Sequence, residues 1–206
     1  TDHDDYYARH AQTDGRRIVY QCGAALWLFD PATDRTRRLD IRVPSHRTQA
    51  ARRFVPAAGH LAGCNVHPAG HSLAVDARGK LFTFALWEGA VGQHGAADGV
   101  RYRHGQWLDD GVTLVSVSDA SGEERIEVFE AGKARTLEWD IGRMLAMRAA
   151  PKGRRIAIAN HRNEVLIGDL ESGALTVVDR SDAGCCDDLA WSPDGAWLAY
   201  TFWTSL

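Results

Sequence analysis

Short runs of apolar residues separated by turn signals make up most of this chain, and the clearest example is LAWSPDGAWLAYTF at 189–202. Its second run, 196–202, is apolar at nearly every position, whereas a strand with one wetted face would alternate between apolar and polar residues. Between the two runs, Pro193 fixes φ at the first corner and Gly195 tolerates the positive φ at which the chain reverses. The pattern predicts an antiparallel hairpin that is covered on both faces.

The turn glycine of this hairpin recurs along the chain. Glycines in comparable turns stand at positions 153, 111, 70 and 15, so that the successive spacings are 42, 42, 41 and 55 residues. A period of about 40–45 residues with several short strands in each unit is typical of a β-propeller. We therefore predict an all-β chain, a β-propeller of four-stranded antiparallel blades, with about four and a half blades present and the ring incomplete.

Each complete period contains four runs of strand length. The predicted strands are 6–11, 17–22, 26–30 and 36–41 in the first blade, 63–67, 72–76, 80–86 and 90–93 in the second, 103–107, 113–118, 125–129 and 135–139 in the third, and 144–149, 155–159, 165–169 and 175–178 in the fourth. A last unit contains two strands, 189–192 and 196–202. The edge of its second strand has no predicted neighbour, and large apolar groups lie beside it. We therefore expect the chain to self-associate through residues 189–206.

The one long spacing marks an insertion of about 14 residues over 43–58 that interrupts the period. The insertion is rich in arginine, as in the stretch AARRF at 50–54. We interpret it as a connection between two propellers, and a basic surface loop of a single propeller remains the alternative.

Composition narrows the class of partner and the compartment. The net charge of −3 and the pI near 6.3 argue against a nucleic-acid binder, which usually carries a basic face. No apolar run approaches 18 residues and the start resembles no signal peptide, so neither a membrane span nor export is expected. Because the first residue is not methionine, we expect a piece of something longer. The four cysteines lack metal or disulfide spacing, which favours reduced thiols and a cytoplasmic location over a bond between Cys185 and Cys186.

The sequence evidence for catalytic or metal-binding residues is weak. The stretch GHSLA at 70–74 nearly matches the nucleophile elbow G-x-S-x-G, but Ser72 opens a predicted strand and no helical period follows it. His67 and His71 flank a turn without a third ligand, and the carboxylates of Asp182, Asp187 and Asp188 are explained by turns and caps. The sequence therefore predicts no catalytic residue, no metal site and no cofactor.

A different role is available to the first strand of each blade, because these strands edge the central channel of a propeller. A channel with mixed charge admits extended peptides and excludes folded proteins by its width. The candidate channel residues on or beside these strands are Arg103, His104, Arg148, Asp187 and Asp188.

With these repeats in view, the chain resembles the propeller region of bacterial tricorn proteases over nearly its whole length. The matching stretches are DGRRIVYQCGAALWLFDPAT (14–33), LDIRVPSHRTQAARRFVPA (39–57), RYRHGQWLDDG (101–111), SVSDASGEERIEVF (116–129), ANHRNEVLIGDLESG (159–173) and LAWSPDGAWLAY (189–200). The insertion resembles the segment that leads from the six-bladed into the seven-bladed propeller of that family, which makes the resemblance more specific than one to TolB-like or WD-type repeats.

The resemblance implies a cytosolic serine peptidase that trims oligopeptides and assembles as a hexamer. Its catalytic serine and histidine belong to later domains beyond a PDZ module, so no residue here inherits a catalytic role. It implies that 1–42 form the last blade of a preceding propeller, that 43–61 connect the two propellers, and that 62–206 form the first blades of a truncated seven-bladed propeller. The expected function is gating or guidance of peptide substrates, with oligopeptides and the remaining domains of the parent protein as partners.

Two other functions remain open at this point. The first is a TolB or WD-type propeller that acts as a protein-interaction scaffold. The second is a propeller enzyme with a metal or carboxylates in its channel. A downstream coding sequence that continues into PDZ and peptidase domains favours the peptidase, whereas one that ends after the ring closes favours the scaffold.

Overall fold

The computed structural model of the chain describes residues 2–44, 46, 48 and 54–203, with the backbone alone for Asp187. Within these residues the chain is built from antiparallel strands, with one 3-10 turn at Ala57–His60 and no α-helix. None of these described segments forms a helix able to span a membrane. The chain divides into two compact units, Thr1–Phe54 and Val55–Leu206. The prediction of an all-β chain is confirmed.

The first unit contains one four-stranded sheet, blade 1, in which each strand pairs with the next along the chain. Its strands are β1 (Ala8–Thr13), β2 (Ile18–Cys22), β3 (Ala25–Asp30) and β4 (Arg35–Arg38). The side chains of Tyr20 and Cys22 are its most buried groups, whereas every residue of β4 is exposed. The apolar character of β2 and β3 thus places them at the centre of the sheet.

The second unit contains three further four-stranded sheets and one two-stranded sheet. Blade 2 consists of β5 (Leu61–Val66), β6 (Ser72–Ala77), β7 (Lys80–Ala85) and β8 (Gly92–His94); blade 3 of β9 (Tyr102–Trp107), β10 (Leu114–Ser118), β11 (Arg125–Glu130) and β12 (Lys133–Leu137); blade 4 of β13 (Met144–Ala149), β14 (Arg155–Asn160), β15 (Glu164–Asp169) and β16 (Leu175–Arg180); and the half-blade of β17 (Cys186–Trp191) and β18 (Leu198–Phe202). The predicted blades and the half-blade are confirmed. The prediction that the last hairpin is covered on both faces is wrong, because β18 alternates between half-buried and exposed residues.

The largest core of the second unit lies between blades 3 and 4. Residues of β10 and β11, such as Val117 and Ile126, pack there against residues of β14 and β15, such as Ile158 and Leu166. Strand β10 is buried at every residue and β14 at every residue except Arg155, which explains why their sequences show no alternation of buried and exposed positions. Burial on both faces is what stacked sheets require.

The repeat register is visible in the backbone of the turns between the first and second strand of each blade. All five turn glycines have a positive φ, at 86° for Gly15, 73° for Gly70, 64° for Gly111, 77° for Gly153 and 71° for Gly195. An L-residue with a side chain is strained in this left-handed region. The periodic glycines therefore mark one turn geometry that is repeated in each blade.

Replacing Gly153 with valine is expected to lower the free energy of unfolding by about 1–3 kcal/mol, because a β-branched side chain is strained at this φ. A Cβ at this position would meet only the Arg155 Nε at 3.7 Å, so the cost comes from the backbone and not from a clash. Urea denaturation measures the change. The control is Lys152→Val, which adds the same side chain to the preceding exposed turn residue. Equal stabilities of the two variants would contradict the strain argument.

Candidate functional site

The first strands of the four sheets in the second unit lie side by side. Strand β9 contacts β5 on one side and β13 on the other, and β13 also contacts β17. Each of these strands is the edge strand of its own sheet. We call β5, β9, β13 and β17 the first-strand row, and it carries the candidate channel residues of the sequence analysis.

Side-chain amides form hydrogen bonds between neighbouring strands of this row. We call the contact between the first strands of two successive blades a joint. The backbone N–H of Trp107 donates to the Asn65 Oδ1 at 2.9 Å. In the next joint, the Gln106 Nε2 donates to the Met147 carbonyl and the Gln106 Oε1 accepts from the Ala149 N–H, both at 2.6 Å. Sequence reasoning missed these two residues, although an amide five positions before the turn glycine in two successive repeats was an available signal.

A buried carboxylate joins blades 2 and 3. Asp76 on β6 is 5% exposed, and its two oxygens accept the backbone N–H of Gly105 at 2.9 and 3.2 Å. Burial raises the pKa of Asp76, and the backbone N–H groups of Gly105 and His104 oppose that rise. Because backbone donors of the next blade satisfy this carboxylate, its role is to hold the joint and not to react.

The side chain of Arg103 lies in the joint between blades 3 and 4. It forms an ion pair with Glu124, and its Nη2 donates to the Met144 carbonyl at 3.2 Å. Glu124 in turn accepts the Met144 N–H at 2.7 Å. The Arg103 side chain therefore bridges blades 3 and 4, and the carboxylate of Glu124 neutralises its charge. Little of the side chain is exposed to solvent.

His104 occupies an irregular position of β9. The pairing of β9 with β10 shifts register there, and His104 has a φ of 55°, which is rare for a residue other than glycine. Burial lowers the pKa of His104, and the neighbouring charge of Arg103 lowers it further. The ring is therefore neutral near pH 7. Its Nε2 is buried and has no hydrogen-bond partner among the described residues.

Arg148 on β13 and Asp188 on β17 are the exposed charged residues in the described part of the row. The Arg148 Nη2 lies 3.7 Å from the Asp188 Oδ1, and the two side chains are 53% and 74% exposed. The indole N–H of Trp191 donates to the Arg148 carbonyl at 3.0 Å and fixes the backbone beside the pair. An exposed ion pair of this kind contributes about 0–1 kcal/mol to stability, so its charges remain available to solvent and solutes. The side chain of Asp187, the fifth candidate, lies outside the described residues.

His67 and Ser72 are accounted for by the repeat. Ser72 is the first residue of β6, and a strand follows it where a nucleophile elbow requires a helix. The His67 Nδ1 accepts the Ala69 N–H at 3.1 Å, so its Nε2 is the nitrogen that donates to the Gly111 carbonyl at 2.6 Å. Over the residues that the structure describes, no group of three or more histidine, cysteine or acidic side chains is arranged to hold a metal ion.

Comparison with known proteins places this geometry in a family. A family profile described as the tricorn protease second beta propeller domain matches residues 61–205. This range contains all four strands of the first-strand row and the three complete blades of the second unit. It begins at the first residue of β5, where the second unit's sheets begin.

Individual relatives agree with the family profile. The chain is similar to tricorn protease homolog 1 of Streptomyces coelicolor, with 35% identity over 208 residues that cover 96% of this chain and 20% of the relative. It is 29% identical to a tricorn protease homolog of Saccharolobus solfataricus over 98% of this chain and 18% of the relative. Its fold matches a crystal structure of the tricorn protease with a TM-score of 0.64 and 25% identity, over 98% of this chain and 19% of that one. The chain thus spans about a fifth of the length of these relatives.

Proposed function

The chain belongs to the family of the tricorn protease second β-propeller domain, and from this premise we propose that it is the non-catalytic propeller part of a tricorn-like serine peptidase that degrades oligopeptides. In this proposal the first-strand row lines a channel that guides peptides toward an active site in another domain. The observation that carries the proposal is the exposed pair of opposite charges, Arg148 and Asp188, on adjacent strands of that row.

The chemistry of this pair suits an extended peptide. Carboxylate and ammonium termini and charged side chains each find an opposite charge there, and an exposed pair binds them weakly enough to let them pass. Charged walls also concentrate ligands of opposite sign, and salt screens that effect within about 10 Å at 0.1 M. In this proposal neither Arg103 nor His104 meets the peptide, because Glu124 and the Met144 carbonyl hold the Arg103 side chain and the His104 Nε2 is buried.

The proposed division of the chain follows from the same premise. We propose residues 1–42 as the last blade of a preceding propeller and 43–61 as the connection between propellers. The boundary between the two compact units, at Phe54 and Val55, falls inside that connection.

No disulfide is present among the described residues, which supports a reducing, cytoplasmic location. Self-association through residues 189–206 stays a prediction.

Charge reversal in the full-length protein tests the proposed channel. The substitution Arg148→Glu is expected to lower kcat/KM for an acidic oligopeptide and to raise it for a basic one of equal length, each on the order of threefold at low ionic strength. Added salt is expected to reduce both changes. A defect in folding would lower both rates, so the opposite signs separate guidance from damage.

Two controls accompany this measurement. The matched variant Arg180→Glu reverses an exposed charge on β16, the strand of blade 4 farthest in order from the row, and is expected to leave both rates unchanged. The 206-residue chain alone is expected to hydrolyse neither peptide. If Arg148→Glu changes neither rate, the proposed guidance is wrong and an interaction scaffold becomes the better account. Turnover by the isolated chain that is lost in Ser72→Ala would overturn the non-catalytic assignment.

A further inference from the structure

A second candidate site is a cleft between blades 2 and 3, which includes Tyr102 and Trp107 from the two ends of β9 but neither Arg148 nor Asp188. The cleft has a volume of about 670 Å³, within the range of about 300–1,000 Å³ that is usual for small-molecule sites. One wall is the end of β8 around His94, and the other is the face of blade 3 that carries Glu127 and Phe129. The fourth strand of blade 2 has only three residues, so it leaves the outer part of that face uncovered.

Glu127 breaks the pattern of the repeat at the centre of this face. In each blade, the residue five positions after the turn glycine pairs with one residue of the third strand. That third-strand residue is Trp27 in blade 1, Phe82 in blade 2, Leu166 in blade 4 and Glu127 in blade 3. Three of the four complete blades place a large apolar group here, so the carboxylate of blade 3 needs a separate explanation.

The surroundings of Glu127 give its carboxyl group hydrogen bonds but no cationic partner among the described residues. The side chain is 7% exposed. The Ser118 hydroxyl donates to its Oε1 at 2.6 Å, and the Tyr102 hydroxyl donates to its Oε2 at 3.3 Å. Within the described part of the chain, no lysine, arginine or histidine forms an ion pair with it. A carboxylate has about four lone-pair sites, so these donors leave acceptor capacity unused.

Lys133, at an exposed position of β12, also lines the cleft, and the remaining groups suit a cation with an apolar stem. The rings of Tyr102 and Phe129 line it, and aromatic faces attract cations. His94 packs against Phe129 with ring centroids 5.7 Å apart, and burial lowers the pKa of His94. The histidine ring is therefore neutral near pH 7 and does not compensate the carboxylate. The second carboxylate of the cleft, Glu130, already binds the Arg154 Nη2 at 2.7 Å.

We propose that this cleft binds an organic cation, an alkylguanidinium or alkylammonium group such as a peptide's arginine or lysine side chain carries, with Glu127 as its counter-ion. The apolar stem lies against Phe129 and Leu114, and the charged head reaches the carboxylate. The cleft does not involve the Arg148–Asp188 pair of the proposed channel, and its existence does not depend on the peptidase function.

Calorimetric titration of the 206-residue chain tests the site, with butylguanidinium and butylammonium as cationic probes and butylurea as the neutral probe of matched shape. Saturable binding of at least one cation is expected, with butylurea at least about tenfold weaker because it lacks the charge that the buried carboxylate needs. Comparison of the two cations shows whether the site prefers the planar guanidinium group of butylguanidinium or the compact ammonium group of butylammonium. Equal affinity for all three probes, or no saturable binding of either cation, would overturn the proposal.

Three variants locate the binding. Glu127→Gln is expected to weaken the cation at least about tenfold, whereas Glu123→Gln, which removes an exposed carboxylate outside the cleft, leaves the affinity unchanged. Ala134→Trp fills the cleft from an exposed position of β12 and is expected to abolish binding even if Glu127→Gln folds poorly. Full affinity in either Ala134→Trp or a folded Glu127→Gln protein would place the cation elsewhere and contradict the proposal.

Discussion

Replacing Gly168 with alanine is expected to lower the free energy of unfolding of the second unit by about 3 kcal/mol, at the upper end of the usual cost of overpacking a core. The added Cβ would lie 2.3 Å from Cζ3 and 2.6 Å from Cη2 of Trp139. The indole cannot withdraw easily, because it is 7% exposed and its Nε1–H donates to the Gly173 carbonyl at 2.8 Å. The methyl group therefore forces two blades apart.

Urea denaturation of the chain, followed by near-ultraviolet circular dichroism, measures this loss. The matched control is Gly59→Ala, where a Cβ meets nothing within 4 Å and φ is not in the left-handed region. That variant is expected to change the free energy of unfolding by less than about 0.5 kcal/mol. A stability of Gly168→Ala within that same margin would mean that blades 3 and 4 do not pack as described.

The second large effect is expected at Gln106. The substitution Gln106→Leu removes both amide hydrogen bonds between β9 and β13. It leaves the Ala149 N–H without its partner, and it leaves the Met147 carbonyl with the Arg148 Nη1 as its remaining side-chain donor. Because Gln106 is only 8% exposed, water replaces these bonds poorly. One unsatisfied buried group costs about 1–3 kcal/mol, so we expect the free energy of unfolding to fall by about that amount.

Hydrogen exchange gives this prediction a local readout. The amide of Ala149 is expected to exchange much faster in Gln106→Leu than in the unchanged protein, beyond what the loss of global stability explains. Gln93→Leu is the control, since it makes the same replacement at an exposed position of β8. Unchanged protection of Ala149 in Gln106→Leu would show that the glutamine does not join the blades.

The strands with buried neighbours could be predicted closely. The prediction of 144–149 matches β13 exactly, and 72–76 differs from β6 by one residue. The outer strands are harder to predict: the sequence pattern predicts a strand at 135–139, whereas β12 lies at Lys133–Leu137. Four of the five residues of β12 are exposed, so no apolar pattern fixes its ends.

The site was harder to predict than the fold, because repeats give the position of a residue along a strand but not what its side chain contacts. Arg103 and Arg148 occupy comparable strands, yet Glu124 and the Met144 carbonyl hold Arg103 in a joint while Arg148 remains exposed. That difference depends on partners from other strands, which periodicity does not identify. Glu127 was visible as a charged residue within an apolar strand, and its meaning emerges only once the equivalent positions of the other blades are aligned by register.

A cryo-electron microscopy structure of the full-length protein with a bound oligopeptide tests the central claim most directly. The account predicts that β5, β9, β13 and β17 line an open channel, with peptide density within reach of the Arg148 and Asp188 side chains. A first-strand row that is covered by another domain, or a peptide that enters the protein by a route without contact with this row, would contradict it.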